Sequence, residues 1–408
     1  MKKIPVSLSQ LEAIAKKVGT PYQLYDETLI RQNARHMIGS FKRYFPNFKQ
    51  FFAVKALPNP EILKILVDEG CGLDCSSVAE LHAAKMIGVP SSDVMYTSNY
   101  TSKEDLAYAY DRNVIMNLDD ISLIESLLKV RGKMPELISF RLNPGIGARV
   151  SDSNVLGGPD AKFGVDISQI ADCYKYSRDH GSKRFGIHMM TGSNVMDNDY
   201  WKESIMRMMD VCTKLNKEGI EFEFINVGGG IGIPYKDKEE PVDIESLAKT
   251  MHEHLGDVNL YMENGRYMTG PYGWLVSRCQ AVKKIPCHIY YGLDSCMANL
   301  MRPGMYGAYH HISVPAKAKT NYFHRANVVG SLCENNDWFA KNRLLPVSSV
   351  GDLFVIHDTG AHSHSMGFQY NGKLRAPEIL LTKEGETKMI RERDTIESLY
   401  GNICSINI

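Results

Sequence analysis

The sequence predicts an α/β chain: a (β/α)8 TIM-like barrel with a second, C-terminal all-β domain. Three observations predict this. The length of 408 residues exceeds one small domain and suits two, one of them a barrel of roughly 250 residues. From about residue 50 to 266, a β-type run, a polar or glycine turn and an amphipathic helix recur until eight strands have passed. After about residue 270, short β-rich runs alternate with turns and helical periods become rare.

The elements follow in order. Ser7 to Gly19 reads as a capped amphipathic helix ending at glycine. Barrel strands are expected at 51–55 (FFAVK), 72–76 (GLDCS), 94–98 (VMYTS), 114–118 (VIMNL), 138–143 (ISFRLN), 185–190 (FGIHMM), 222–227 (FEFINV) and 259–263 (NLYME). Helices are expected between them, at Glu61 to Glu69, Val78 to Ile87, Ser122 to Val130, Tyr200 to Lys217 and Ile244 to Leu255. A doubly wound open sheet usually carries a glycine-rich turn after its first strand, and none is present. Strands at 274–283, 288–293 and 352–357 open the second region. We therefore expect a barrel over 25–270 and a β-rich domain from 1–24 plus 271–408, the latter contributing to the active site and a dimer interface.

Composition narrows the function. Lys plus Arg equals Asp plus Glu at 47 each, which gives no electrostatic case for nucleic acid or an anionic membrane. No apolar run approaches about 18 residues, so no membrane span is expected. The nine cysteines, at 71, 75, 173, 212, 279, 287, 296, 333 and 404, contain no CxxC pair. That argues against a disulfide framework or structural zinc, and for a reducing, cytoplasmic setting. A small-molecule substrate is the remaining partner.

Catalytic groups in such barrels gather where strands end. Lys55 ends the first strand, Asp74 the second, His188 the sixth, Gly228-Gly229-Gly230 the seventh, and Glu263 with Arg266 the eighth. A strand-end lysine often just reaches solvent, but burial is expected to lower the pKa of Lys55 and expose an amine suited to an aldehyde. The glycines, with Gly232, let backbone amides approach an anion, although a lone Gly-Gly-Gly also reads as a flexible turn. Ser193 and Arg266 could bind the same phosphate. Glu263 could hold a pyridine nitrogen protonated, or be an ordinary ion-pair partner. His188 is a core histidine or one that stacks on a flat ring.

In the second region, Cys333-Glu334-Asn335-Asn336-Asp337 sets a thiol beside two carboxylates, a candidate proton donor with a substrate-binding partner or a buried cysteine in a polar loop. Tyr370-Asn371 offers a hydroxyl, and Arg302 with Tyr306 a carboxylate fork. No spacing suggests a metal site, and no nucleophile elbow supports Ser-His-Asp catalysis.

Together these residues resemble the fold-type III pyridoxal-phosphate decarboxylases, of the alanine racemase and ornithine decarboxylase fold, and within them the diaminopimelate decarboxylases. The likeness spans about residues 20 to 400. Phe52-Ala53-Val54-Lys55 resembles the family's Schiff-base lysine motif, His188 with Gly192-Ser193 its ring-stacking histidine and phosphate serine, and Gly228-Gly229-Gly230 its phosphate loop. Glu263-Asn264-Gly265-Arg266 resembles its Glu-Pro-Gly-Arg, with Asn264 for proline expected to loosen the turn. His188-Met189-Met190-Thr191 departs from the usual His-x-Ile. Leu300 to Ile312 resembles the Arg-Pro, Tyr and Tyr-His segment whose Arg and Tyr hold a distal carboxylate; ornithine decarboxylases place acidic residues there.

The resemblance implies pyridoxal 5'-phosphate as cofactor, with Lys55, Asp74, His188, Ser193, the three glycines, Glu263, Arg266 and Tyr370 binding it. It implies a homodimer in which Cys333-Glu334 enters the partner's site. Arg266, Arg302, Tyr306, Glu334 and Tyr370 would hold substrate, with Lys55, Cys333 and Tyr370 catalytic. The implied reaction converts meso-diaminopimelate to L-lysine and carbon dioxide. Decarboxylation of ornithine, arginine, carboxynorspermidine or a D-amino acid, alanine racemisation, and a non-catalytic relative are the alternatives.

Overall fold

The computed structural model describes residues 2–146 and 156–403. The chain forms two compact units, Ile30–Ile233 with Glu240–Met268, and Met1–Leu29 with Pro234–Glu239 and Thr269–Ile408.

The first unit is a closed parallel barrel, as the alternating pattern predicted. Its strands are β1 (Lys49–Ala53), β2 (Gly72–Cys75), β3 (Val94–Ser98), β4 (Ile115–Leu118), β5 (Leu137–Asn143), β6 (Arg184–Met189), β7 (Phe222–Asn226) and β8 (Leu260–Met262). Each pairs in parallel with the next, and β8 pairs with β1 (Tyr261 opposite Lys49), which closes the ring. The intervening helices carry the side-chain caps that fix where they start. Asn59 accepts from the Glu61 amide ahead of Pro60–Asp68, and Ser77 from Glu80 ahead of Val78–Met86. Asp197 and Asp243 do the same for Asn198–Lys217 and Ile244–Leu255. A floor of Phe51, Met95, Ile115 and Phe224 fills the barrel, with Tyr261 stacked on Phe224 at 4.5 Å. Gly186 is required there, since a Cβ at this position would fall 2.0 Å from the Phe224 ring.

The second unit is a mixed sheet. Along its main path the strands run Trp338–Pro346, Phe323–Val329, His288–Leu293, Gly273–Ile285, Tyr22–Asp26, Glu378–Leu381 and Thr387–Arg391. Tyr22–Asp26 was not among the expected strands, because Gln23 and Asp26 break its apolar run. It is buried throughout, antiparallel to Gly273–Ile285 and parallel to Glu378–Leu381. Its polar groups are satisfied inside: Gln23 donates to Ser363 Oγ at 2.6 Å. Helix Leu8–Val18 covers this sheet through Leu11, Ile14 and Ala15. Among the described residues no helix is long and apolar enough to cross a membrane.

Candidate active site

Strand register assembles the barrel mouth. Arg141 on β5 lies opposite His188 on β6, which lies opposite Asn226 on β7. Glu263 directly follows β8 and is buried. Its two oxygens take different donors: His188 Nε2 at 3.0 Å from Oε2, and Asn226 Nδ2 at 2.7 Å from Oε1. Burial pushes the Glu263 carboxyl up, but His188, Lys55 and Asn226 outweigh it and hold the group below the usual carboxylate range. The Asn226 Oδ1 accepts the Gly228 amide at 2.8 Å. One amide side chain therefore fixes both the carboxylate and the start of the glycine loop.

Lys55 requires two corrections. Strand β1 stops at Ala53, and Lys55 sits in the following 3-10 turn, Val54–Ala56. Its pKa is raised, not lowered: burial pulls it down, but Asp74, Glu263 and Glu80 surround the ammonium with negative charge and prevail. The Nζ lies 2.9 Å from Asp74 Oδ2, with half of the lysine side chain still accessible. Asp74 is itself pushed up to about 6, first by burial and then by the charge on Glu263, with Lys55 opposing. Lys55 thus holds its proton near neutrality. It becomes a nucleophile only by passing that proton on, and Asp74 is placed to take it.

The glycine loop is closed against backbone. A Cβ at Gly228 would lie 2.4 Å from Met189 O, at Gly229 2.3 Å from Glu263 O, and at Gly230 2.5 Å from Gly192 O; Gly228 and Gly230 also have positive φ. Ser193 Oγ lies 3.4 Å from Arg266 Nη2, so these two predicted phosphate ligands meet. Met190 brings its sulfur 3.2 Å from the Gly229 amide. Asn264 does not loosen its turn. Its Oδ1 accepts from the Ile231 amide at 3.1 Å, its Nδ2 donates to Gln50 at 3.1 Å, and Gln50 donates back to its carbonyl at 3.0 Å. The asparagine stitches β1, β8 and the glycine loop together. Arg141 lies 3.6 Å from Asp119 with its guanidinium 4.5 Å over the Phe163 ring.

The second unit carries the remaining predicted residues in two groups. Tyr370 donates to the Cys333 carbonyl at 3.4 Å, and the Cys333 amide donates to Asn371 at 2.7 Å. Glu334 and Tyr370 line a cavity of about 490 Å³ with Met297, Met301, Met305 and Met366. The other group is centred on Arg302, at the start of the short helix Arg302–Tyr306. Arg302 is buried, whereas Tyr306 is 42% exposed.

Comparison with known proteins decides the family. The model for the pyridoxal-binding domain of pyridoxal-dependent decarboxylases matches residues 31–270. The chain belongs to the pyridoxal-dependent decarboxylases. It is 39% identical to Protein TabA of Pseudomonas amygdali pv. tabaci, over 96% of this chain and 93% of that protein. It is 35% identical to the diaminopimelate decarboxylase of Methanothermobacter thermautotrophicus, over 95% and 92%. Among solved structures, the diaminopimelate decarboxylase from M. jannaschii in complex with L-lysine superposes with a TM-score of 0.89 at 32% identity, covering 97% of this chain and 94% of that one.

The barrel mouth fits the cofactor of this decarboxylase family. Asp74 Oδ1 and His188 Nδ1 are buried polar atoms with no hydrogen-bond partner, on residues whose other polar atoms bond to Lys55 and Glu263. Sequence reasoning missed Asn226, Gln50, Arg141 and Asp119. Their only signal was a polar residue within an otherwise apolar strand or just beyond one.

Two results are expected of this decarboxylase. Asp74→Asn removes the nearest counter-charge of Lys55 and lowers its pKa. The rate at which apoprotein captures pyridoxal phosphate should then rise at a pH lower by about one unit; an unmoved profile would deny Asp74 this part. Asn264→Ala strands the Ile231 amide and Gln50, and should cost about 2 kcal/mol in chemical denaturation.

Proposed function

We propose that this chain decarboxylates meso-2,6-diaminopimelate to L-lysine and carbon dioxide. The observation that carries the reading is the full-length likeness to proteins named diaminopimelate decarboxylase, joined to a buried arginine, Arg302, in the segment predicted to hold a distal carboxylate.

When bound, pyridoxal phosphate supplies an electron-accepting ring that delocalises the electron pair left as carbon dioxide departs. Lys55 holds its aldehyde carbon. Gly228, Gly229, Gly230, Ser193 and Arg266 hold its phosphate, with Asp74, His188 and Tyr370 completing the cradle. Glu263, kept ionised by His188 and Asn226, holds the proton on the ring nitrogen. Arg302, Tyr306 and Arg266 grip the distal carboxylate, and Glu334 the distal ammonium. Cys333, with Tyr370, delivers the proton that replaces the carboxylate.

The working unit is a homodimer in which Cys333 and Glu334 serve the partner's barrel; their exposure on the second unit supports this. The compartment is cytoplasmic, supported by the free state of every described cysteine. The 39% identity to Protein TabA, beside 35% to the diaminopimelate decarboxylase of Methanothermobacter thermautotrophicus, favours as second reading the decarboxylation of another amino acid, such as ornithine, carboxynorspermidine or a D-amino acid.

Carbon dioxide release with pyridoxal phosphate separates these readings when measured on meso- and L,L-diaminopimelate and both enantiomers of lysine and ornithine. Turnover of the meso isomer alone, yielding L-lysine, is expected. Turnover of ornithine in its place would overturn the role of Arg302.

A further inference from the structure

We propose that His310, aided by Tyr235, is a positioning residue that holds the Arg302 guanidinium for the substrate's distal carboxylate. The proposal rests on the reading of Arg302 given above and adds the parts that orient it.

The hydrogen bonds fix the state of His310. Its Nδ1 lies 2.8 Å from the His357 carbonyl, which can only accept, so Nδ1 carries the proton. Its Nε2 lies 2.9 Å from Arg302 Nη1, which can only donate, so Nε2 presents a lone pair. One neutral tautomer meets both demands. The ring is fully buried and edge-on to Tyr235, with centroids 5.1 Å apart.

Tyr235 supplies the second restraint. Its hydroxyl accepts from the same Nη1 at 2.8 Å, and its ring lies 5.0 Å from the guanidinium carbon. His310 and Tyr235 are both neutral, so they orient the arginine without cancelling its charge. These bonds leave the guanidinium positively charged and fixed in direction, which is what capture of an incoming carboxylate requires.

The test compares two competitive inhibitors of the holoenzyme. L-lysine retains a carboxylate and cadaverine has none, on the same carbon chain. His310→Leu removes the acceptor. It should raise the inhibition constant of L-lysine and the KM for meso-diaminopimelate about tenfold, while kcat stays within about threefold and cadaverine is unaffected. His310→Gln, which offers an oxygen near the Nε2 position, should recover most of the loss. Equal weakening of both inhibitors, or a folded Gln variant behaving like Leu, would overturn the proposal. If the Leu variant fails to fold, Tyr235→Phe carries the same comparison, with about a threefold effect expected on L-lysine alone and its absence contradicting the idea. Arg302→Leu sets the reference. If it fails to separate the two inhibitors, the reading of Arg302 falls and this proposal with it; if only the His310 and Tyr235 variants fail, this proposal falls alone.

Discussion

Lys55→Ala is expected to abolish covalent capture of pyridoxal phosphate and to cut decarboxylation at least about a thousandfold, near 4 kcal/mol of barrier. No other described amine is placed with Nζ 2.9 Å from Asp74 in the barrel mouth. The loss has two parts. The nucleophile disappears, and Asp74 and Glu263 remain buried without the ammonium that they share. Deprived of it, Asp74 should rise further and take up a proton, so the fold survives with one charge fewer. Circular dichroism should be unchanged while the visible band of the bound cofactor is absent. A small added amine should restore part of the turnover. Retention of the visible band would remove Lys55 from the scheme.

Glu263→Gln is the second large effect. The substitution keeps the size of the side chain and deletes the charge. His188 and Asn226, which now both donate to a carboxylate, would face an amide that can accept at one atom only. The proton on the cofactor's ring nitrogen loses its counter-ion, and turnover should fall about 10²- to 10³-fold with the cofactor still bound. A separate readout follows from the charge. Glu263 helps raise Asp74 to about 6, so deleting it should lower the Asp74 pKa toward the ordinary carboxylate range. Glu263 also acts directly to raise the Lys55 pKa, and loss of that charge should shift the capture profile of the apoprotein to lower pH. Unchanged turnover would mean that the carboxylate only braces His188.

What was legible in the sequence was what short-range pattern controls. The strand at 94–98 and the helix from Ile244 to Leu255 were placed to the residue, because apolar period and side-chain caps decide both. Lys55 was found because strand ends in a barrel converge on one face. Its charge state was not, because three carboxylates distant in sequence set it, and burial alone gave the opposite sign. Asn264 illustrates the same limit. Read against a proline it signified a looser turn, whereas Gln50 and Ile231, far away in the chain, turn it into a stitch. Tyr22–Asp26 was invisible as a strand because its polar side chains find partners only inside the folded sheet. Arg302 was named from its own segment, but Tyr235, which lies 67 positions earlier, could not be paired with it from spacing.

The proposed reaction loses carbon dioxide from one end of a diamino diacid and delivers a proton to the same carbon. Turnover of meso-diaminopimelate in deuterium oxide tests this most directly, with the product read by NMR and carbon dioxide counted. The expected product is L-lysine carrying a single deuterium on its ε-carbon and none on its α-carbon, with equal amounts of carbon dioxide and lysine. Deuterium entering the substrate without carbon dioxide release would reveal a racemase and overturn the decarboxylation.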